Sequence, residues 1–215
     1  MLHHIAGSLD HILTRITRFS RVIVIASGAL ILISAVGIAA DVILRRTVGV
    51  SAWGANELSY YALAVSTSWA FAYAILVKAH IRIDALVQRL SVPLRAVCDL
   101  IALLGMGAFA LMASWSIWGL VARSWARGST SITTMETPLW IPQGLWFLGF
   151  AFFTLVTTLL IVRVLLALIV ERSYETVDRY AGSPDMDEDI EANTIETPGV
   201  DLGAPDPVDH SRSSG

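Results

Sequence analysis

Few residues in this chain could do chemistry, and their spacing limits what they could do. His80 and Asp84 share a face at i,i+4 if Lys78–Asp84 is helical, an arrangement in which a carboxylate orients an imidazole. No nucleophile or metal ligand accompanies the pair, so it reads as a polar elbow between two apolar stretches. Asp41, Glu57, Asp99 and Arg163 lie within about two turns of the ends of apolar runs, and the run centres carry no charge. A proton relay or ion site inside a membrane needs ionisable groups at depth, so this chain alone should hold neither. His3, His4, His11 and His210 fall in the terminal segments, which excludes the facing histidine pairs of a membrane dihaem bundle. HExxH, Walker A and GxSxG patterns are absent. The single cysteine, Cys98, excludes an intrachain disulfide, a CxxC redox pair and a cysteine-based zinc site, and reads as a buried inert thiol. The expectation is a protein that is not an enzyme and has no cofactor and no metal.

The elements that position these residues are membrane helices. Of the 215 residues 55% are hydrophobic and only 15% charged, against about a quarter charged in soluble domains. Apolar runs cover Val22–Leu44, Leu58–Val77, Ile101–Val121 and Leu145–Val170. At about 1.5 Å per residue, 20 residues cross the roughly 30 Å of hydrocarbon. Backbone groups find no partners in lipid, so each crossing must be helical. The predicted fold class is an all-α membrane protein with four transmembrane helices, at about 22–44, 58–77, 97–121 and 145–170, forming a domain over 22–170. The first run is longer than the apolar core of a signal peptide and reads as an uncleaved anchor. Gly105 and Gly107 read as a helix packing site.

Before the first span, Ile5, Leu9, Ile12, Ile16 and Phe19 recur at helical spacing, interleaved with Arg15, Arg18 and Arg21. That pattern predicts a short N-terminal amphipathic helix over 1–21, lying on the membrane surface among lipids. Residues 1–170 carry 12 Lys/Arg against 6 Asp/Glu, whereas 171–215 carry 3 against 12. The basic residues flank apolar spans, which argues for membrane orientation and against nucleic-acid binding. With the N-terminus inside, inner segments hold nine Lys/Arg and outer segments four. Both termini are therefore expected in the cytoplasm of a bacterial cell, with the chain a multi-pass protein of the inner membrane. Trp53, Trp115, Trp118, Trp125, Trp140 and Trp146 fall at or near the outer ends of spans, and Trp69 lies deeper. The acidic segment 171–215, with Pro184, Pro198, Pro205 and Pro207, is expected to be a mostly disordered cytoplasmic tail.

Within the second span, Ala62, Ser66, Ala70 and Ala74 recur every four residues. Small-residue stripes allow close helix approach in lipid, either to another subunit or within the bundle.

The order of these features resembles the small permease subunit of tripartite ATP-independent periplasmic (TRAP) transporters, a DctQ-like chain. The resemblance rests on Trp53-Gly-Ala-Asn-Glu57-Leu58, then Trp69 and Phe71, then His80-Ile-Arg-Ile-Asp84 and Leu86, and Pro142-Gln143-Gly144 before the last span, in a layout covering about residues 15–170. Ala72 and Tyr73 stand where the family often has a Gly after the mid-span Trp, which points to a looser helix contact there. The resemblance implies two partners, a large multi-span permease subunit and a periplasmic substrate-binding protein. It further implies sodium-coupled symport of organic acids, with the small subunit as a scaffold and Trp53, Glu57, Trp69, His80 and Asp84 as motif or interface residues. A stand-alone four-helix transporter or an assembly factor is the alternative.

Overall fold

The computed structural model describes residues 2–49, 54–79, 90–133, 135–171 and 173–181. Five α-helices account for most of them: α1 (Leu2–Thr47), α2 (Ala55–Leu76), α3 (Val92–Arg127), α4 (Trp140–Leu166) and α5 (Tyr174–Ala181). A π-helical turn, Ala167–Glu171, continues α4. No named strand occurs among the described residues; a single bridge pairs Thr130 with Pro138.

The expected short N-terminal helix is not separate. Residues 2–21 and the first apolar run form one helix of 46 residues, about 69 Å long. No proline interrupts this stretch, and Gly7 and Gly28 are isolated, so nothing in the chain breaks the helix where the charge pattern changes. The third and fourth helices also start earlier than their apolar runs. Pro93 and Pro142 both lie in the first turn of a helix, where a missing N–H costs nothing, so each proline opens a helix at Val92 and Trp140.

α1, α3 and α4 with its π-turn are long and apolar enough to cross a membrane. α2 spans 22 residues, about 33 Å, but Ser59, Tyr60, Tyr61, Ser66, Thr67, Ser68 and Tyr73 dilute its apolar character, and it is not among the three. Of the four expected crossings, three are helices of this kind among the described residues, and α2 is not one of them.

The helices pack in the order α1, α2, α4, α3. The Ser66 hydroxyl on α2 donates to the Ser27 carbonyl on α1 at 3.1 Å, and Leu76 lines a small cavity with Leu13 and Thr17, which sets these helices antiparallel. On its other side α2 runs alongside α4 in the same direction: the Phe71 ring lies 5.8 Å from Phe150 and 5.7 Å from Phe153. α3 returns antiparallel to α4, with Ser114 and Thr154 sharing a 2.9 Å hydrogen bond and Trp118 and Phe147 stacking at 5.2 Å. α4 is apolar all round, as a central helix must be, and supplies Phe150, Phe153, Val156, Leu160 and Val164 to the core. α1 is peripheral, and Val22, Ile25, Leu32, Ile33 and Val36 on it are exposed. Ala72 is fully buried in the same core as Phe150 and Phe153.

The bundle has two polar ends. The start of α1, the end of α4 and α5 gather at one, called the base; the starts of α2 and α4 and the end of α3 gather at the other, the rim.

Candidate functional site

At the rim the sequence turns sharply, and one carboxylate fastens the turn. Gly54 adopts φ 76°, a left-handed conformation that suits glycine, immediately before α2. This places Glu57 in the first turn of α2. Its two carboxylate oxygens accept hydrogen bonds from the Tyr61 hydroxyl at 2.6 Å and from the Thr133 hydroxyl. Thr133 belongs to the loop between α3 and α4, which is closed on itself by Ser131 N–H to Thr137 O at 2.9 Å and Leu139 N–H to Ser129 O at 3.0 Å. Glu57 therefore staples that loop to α2, and its side chain is buried in doing so. Nearby, Asp41 near the end of α1 is buried and accepts from Arg45 at 2.5 Å. Trp125 and Trp140 meet edge to face at 4.7 Å across the same end.

The middle of the bundle is apolar, and several of its hydroxyls are occupied. Thr157 returns its hydroxyl to the Phe153 carbonyl at 2.8 Å, Ser68 to Val65 at 2.8 Å, and Ser114 pairs with Thr154. Buried polar groups in lipid must be satisfied this way. A groove of about 760 Å³ opens between α1 and α2, lined by Leu30, Ile33, Val65, Ile141 and Leu145 with the hydroxyls of Ser34, Ser59, Tyr61 and Thr137. No cation among the described residues lines it, so they offer an organic anion no counter-charge. Among the described residues no group of His, Cys, Asp and Glu could hold a metal ion.

The base holds a cluster that the sequence reading missed. Arg163, a lone charge near the end of an apolar run, is buried, with a side chain 5% exposed. Its Nε donates to Asp10 Oδ1 at 2.6 Å and its Nη2 to Asp10 Oδ2 at 3.3 Å, a two-pronged contact on the start of α1. Its Nη1 donates to Glu171 at 3.3 Å. The guanidinium carbon lies 5.3 Å from the centre of the Tyr180 ring, and the Tyr180 hydroxyl donates to Asp10 Oδ1 at 2.7 Å. Burial, and then the bond and charge of Asp10, push the Tyr180 hydroxyl above its usual range, so it stays a donor at neutral pH. The π-turn makes this convergence possible. On a continuous α-helix Glu171 would sit about 80° around the axis from Arg163; the wider turn takes back that rotation and returns the carboxylate to the arginine. The signal in the sequence was Arg163 itself, a lone charge in an apolar run, which has to find an acid.

Of the residues singled out from the sequence, Glu57, Trp69, Ala62, Ser66, Ala70 and Ala74 lie on α2, and they do not converge on one pocket. Trp69 stacks on Phe152 at 5.6 Å, Ser66 faces α1, and Ala62 is buried beside the groove. Trp53, His80 and Asp84 lie outside the described residues. Gly107 packs against α4, where an added Cβ would meet Ile161 Cδ1 at 2.8 Å, whereas Gly105 faces open space. Trp115, expected near the outer end of its span, follows directly on Ser114 and is 78% exposed.

Replacing Glu57 with Gln separates charge from shape. The expected result is a folded chain of modestly lower thermal stability, because one hydroxyl can reverse its bond. Glu57→Leu, which removes both acceptors, is expected to free the loop and speed its proteolysis. Equal behaviour of the two variants would refute the staple.

A family model described as "Tripartite ATP-independent periplasmic transporters, DctQ component" matches residues 33–167 of the chain. No curated protein and no solved structure matches it.

Proposed function

Because the chain belongs to the DctQ component family of tripartite ATP-independent periplasmic transporters, a family of transporter components and not of enzymes, we propose that it braces the large permease subunit of a sodium-coupled, binding-protein-dependent organic-acid transporter. In this reading it forms a four-helix bundle in the bacterial inner membrane, with α2 as the fourth crossing and the base in the cytoplasm. The nine-to-four distribution of Lys and Arg supports that orientation. The observation that carries the scaffold reading is the division of the molecule into an apolar middle and two polar ends whose bonds close within the chain. Asp10 with Arg163 and Glu57 with Thr133 tie this chain's own segments together. A substrate anion crossing a bilayer needs donors or positive charge at depth, and no charged residue occupies the centre of any apolar run.

The α3 face is the proposed seat of the large subunit. Leu111, Trp115 and Trp118 are exposed there along one side of the helix. Trp115 lies about 9 Å inside the outer end of its apolar run at Val121. Tryptophan facing lipid prefers the interface, so an exposed one at this depth fits a protein partner better than acyl chains. Trp115→Ala with Leu111→Ala is expected to leave this chain folded, since both side chains are largely exposed. Recovery of the large subunit in a pull-down on this chain should then fall by roughly tenfold or more, the scale of interface hot spots. An undiminished complex would move the interface elsewhere.

A further inference from the structure

The exposed side of the base half of α1 carries three guanidiniums that no described residue neutralises. Arg15, Arg18 and Arg21 follow one another at three-residue spacing and are exposed, and no ion pair or hydrogen bond engages any of them among the described residues. The buried residues of the same stretch, Leu9, Leu13 and Ser20, lie on the opposite side, turned toward the bundle. Exposed Ile12 and Phe19 flank the arginines. The next turn continues into exposed Val22 and Ile25, the apolar surface that α1 presents along the span.

Two observations fix the height of this face. Thr17 lies against Leu76, the last residue of α2, so the arginines straddle the level at which α2 ends. Asp10, one turn toward the terminus, is held by Arg163 and Tyr180. The helix is therefore fastened immediately beside the arginines and cannot swing away from the bundle without breaking that cluster. Cationic side chains at the end of an apolar surface meet the layer where lipid phosphates lie.

From this placement we infer that the Arg15–Arg18–Arg21 face of α1 is a binding site for acidic phospholipid headgroups, with Ile12 and Phe19 seated among the first methylenes of the acyl chains. The inference rests on the cytoplasmic placement of the base. Charge selects the occupant: three positive groups without a counter-ion among the described residues favour a headgroup with net negative charge over a zwitterionic one. Continuity with the lipid-facing surface of α1 favours a bilayer lipid over an acidic protein.

The test uses the purified full chain in nanodiscs of phosphatidylcholine with increasing phosphatidylglycerol. Thermal unfolding midpoint and the phosphatidylglycerol retained in native mass spectra are the readouts. The wild-type midpoint is expected to rise with phosphatidylglycerol content, and lipid adducts should persist. Each arginine contributes about fivefold in affinity at an anionic surface, so Arg15→Gln/Arg18→Gln/Arg21→Gln is expected to lower retention by roughly a hundredfold and flatten the rise in midpoint. Arg15→Lys/Arg18→Lys/Arg21→Lys should keep most of both. A reporter fused after Ala181 must read cytoplasmic in every variant; a periplasmic wild type would sink the placement of the base, and the site with it. An unchanged lipid dependence in the glutamine variant would overturn the site. So would an equal loss on replacing Arg123 and Arg127 at the rim with Gln. Loss of large-subunit binding with lipid retention intact would instead assign the face to an acidic protein surface.

Discussion

Arg163→Met should destabilise the chain more than any other single change at the base, by on the order of 3 kcal/mol. Removing one partner of a buried ion pair costs about 3–5 kcal/mol because the other is left uncompensated. The lower end applies here, since the Asp10 side chain is 40% exposed and can regain water. Asp10 and Glu171 would then face each other without the guanidinium between them, and Tyr180 would lose the cation above its ring. Arg163→Lys keeps the charge but cannot reach Asp10 through two nitrogens and Glu171 through a third, so it should recover only part of the loss. Asp10→Leu in the Arg163→Met background should cost less than the sum of the two single changes, because the pair acts as one unit. Thermal unfolding in nanodiscs measures the cycle. Trypsin cleavage after Arg179, which is exposed on α5, reports whether that helix has come loose. Additive single-site costs would show that the contact contributes nothing as a pair.

Gly149 is the second site of large effect. An added Cβ there would overlap Ser68 Oγ and come within 2.8 Å of Ser68 Cβ and 3.0 Å of its carbonyl carbon. Rotating Ser68 relieves the first contact but not the backbone one, so α2 and α4 must separate. Over-packing of this kind costs about 1–3 kcal/mol for one methyl group. Gly149→Ala should therefore lower stability by about that amount, and Gly149→Leu should not accumulate as folded protein. Ser68→Gly should rescue Gly149→Ala in part. Gly105→Ala is the matched control: nothing lies within 4 Å of its Cβ position, and replacing a helical glycine with alanine gains about 0.5–1 kcal/mol. If both alanine variants unfold alike in a thermal melt, close contact between α2 and α4 does not hold the bundle together.

The sequence carried the architecture further than the polar contacts. Uncharged runs of about 20 residues admit only helices in lipid, so the long helices of the bundle were legible from hydropathy alone. The boundaries were not. Residues 2–21 differ from the span in polarity but not in helical capacity, so a change of charge pattern at Arg21 does not mark a break in the backbone. Glu57 was legible as a first-turn acid, yet its partner Thr133 is 76 residues away in a loop whose fold depends on backbone bonds of its own. The cluster at the base was hidden more deeply. Asp10 and Tyr180 are separated by 170 residues. Glu171 reaches Arg163 only because a π-turn changes the helical phase, and no residue pattern in Ala167–Glu171 announces one. Of the small-residue stripe, Ser66 is set against α1 by its bond to the Ser27 carbonyl.

The central claim is that this chain supports transport without performing it. Among the described residues no cation lines its groove, and the hydroxyls of Thr157, Ser68 and Ser114 in its apolar middle are already bonded. The most direct measurement is uptake into proteoliposomes under an inward sodium gradient, using an organic acid that the full transporter accumulates. The chain alone should match empty liposomes at every protein density, with uptake appearing only when the large subunit and the binding protein are added. Sodium-dependent accumulation by the chain alone would contradict the scaffold account and establish it as a transporter in its own right.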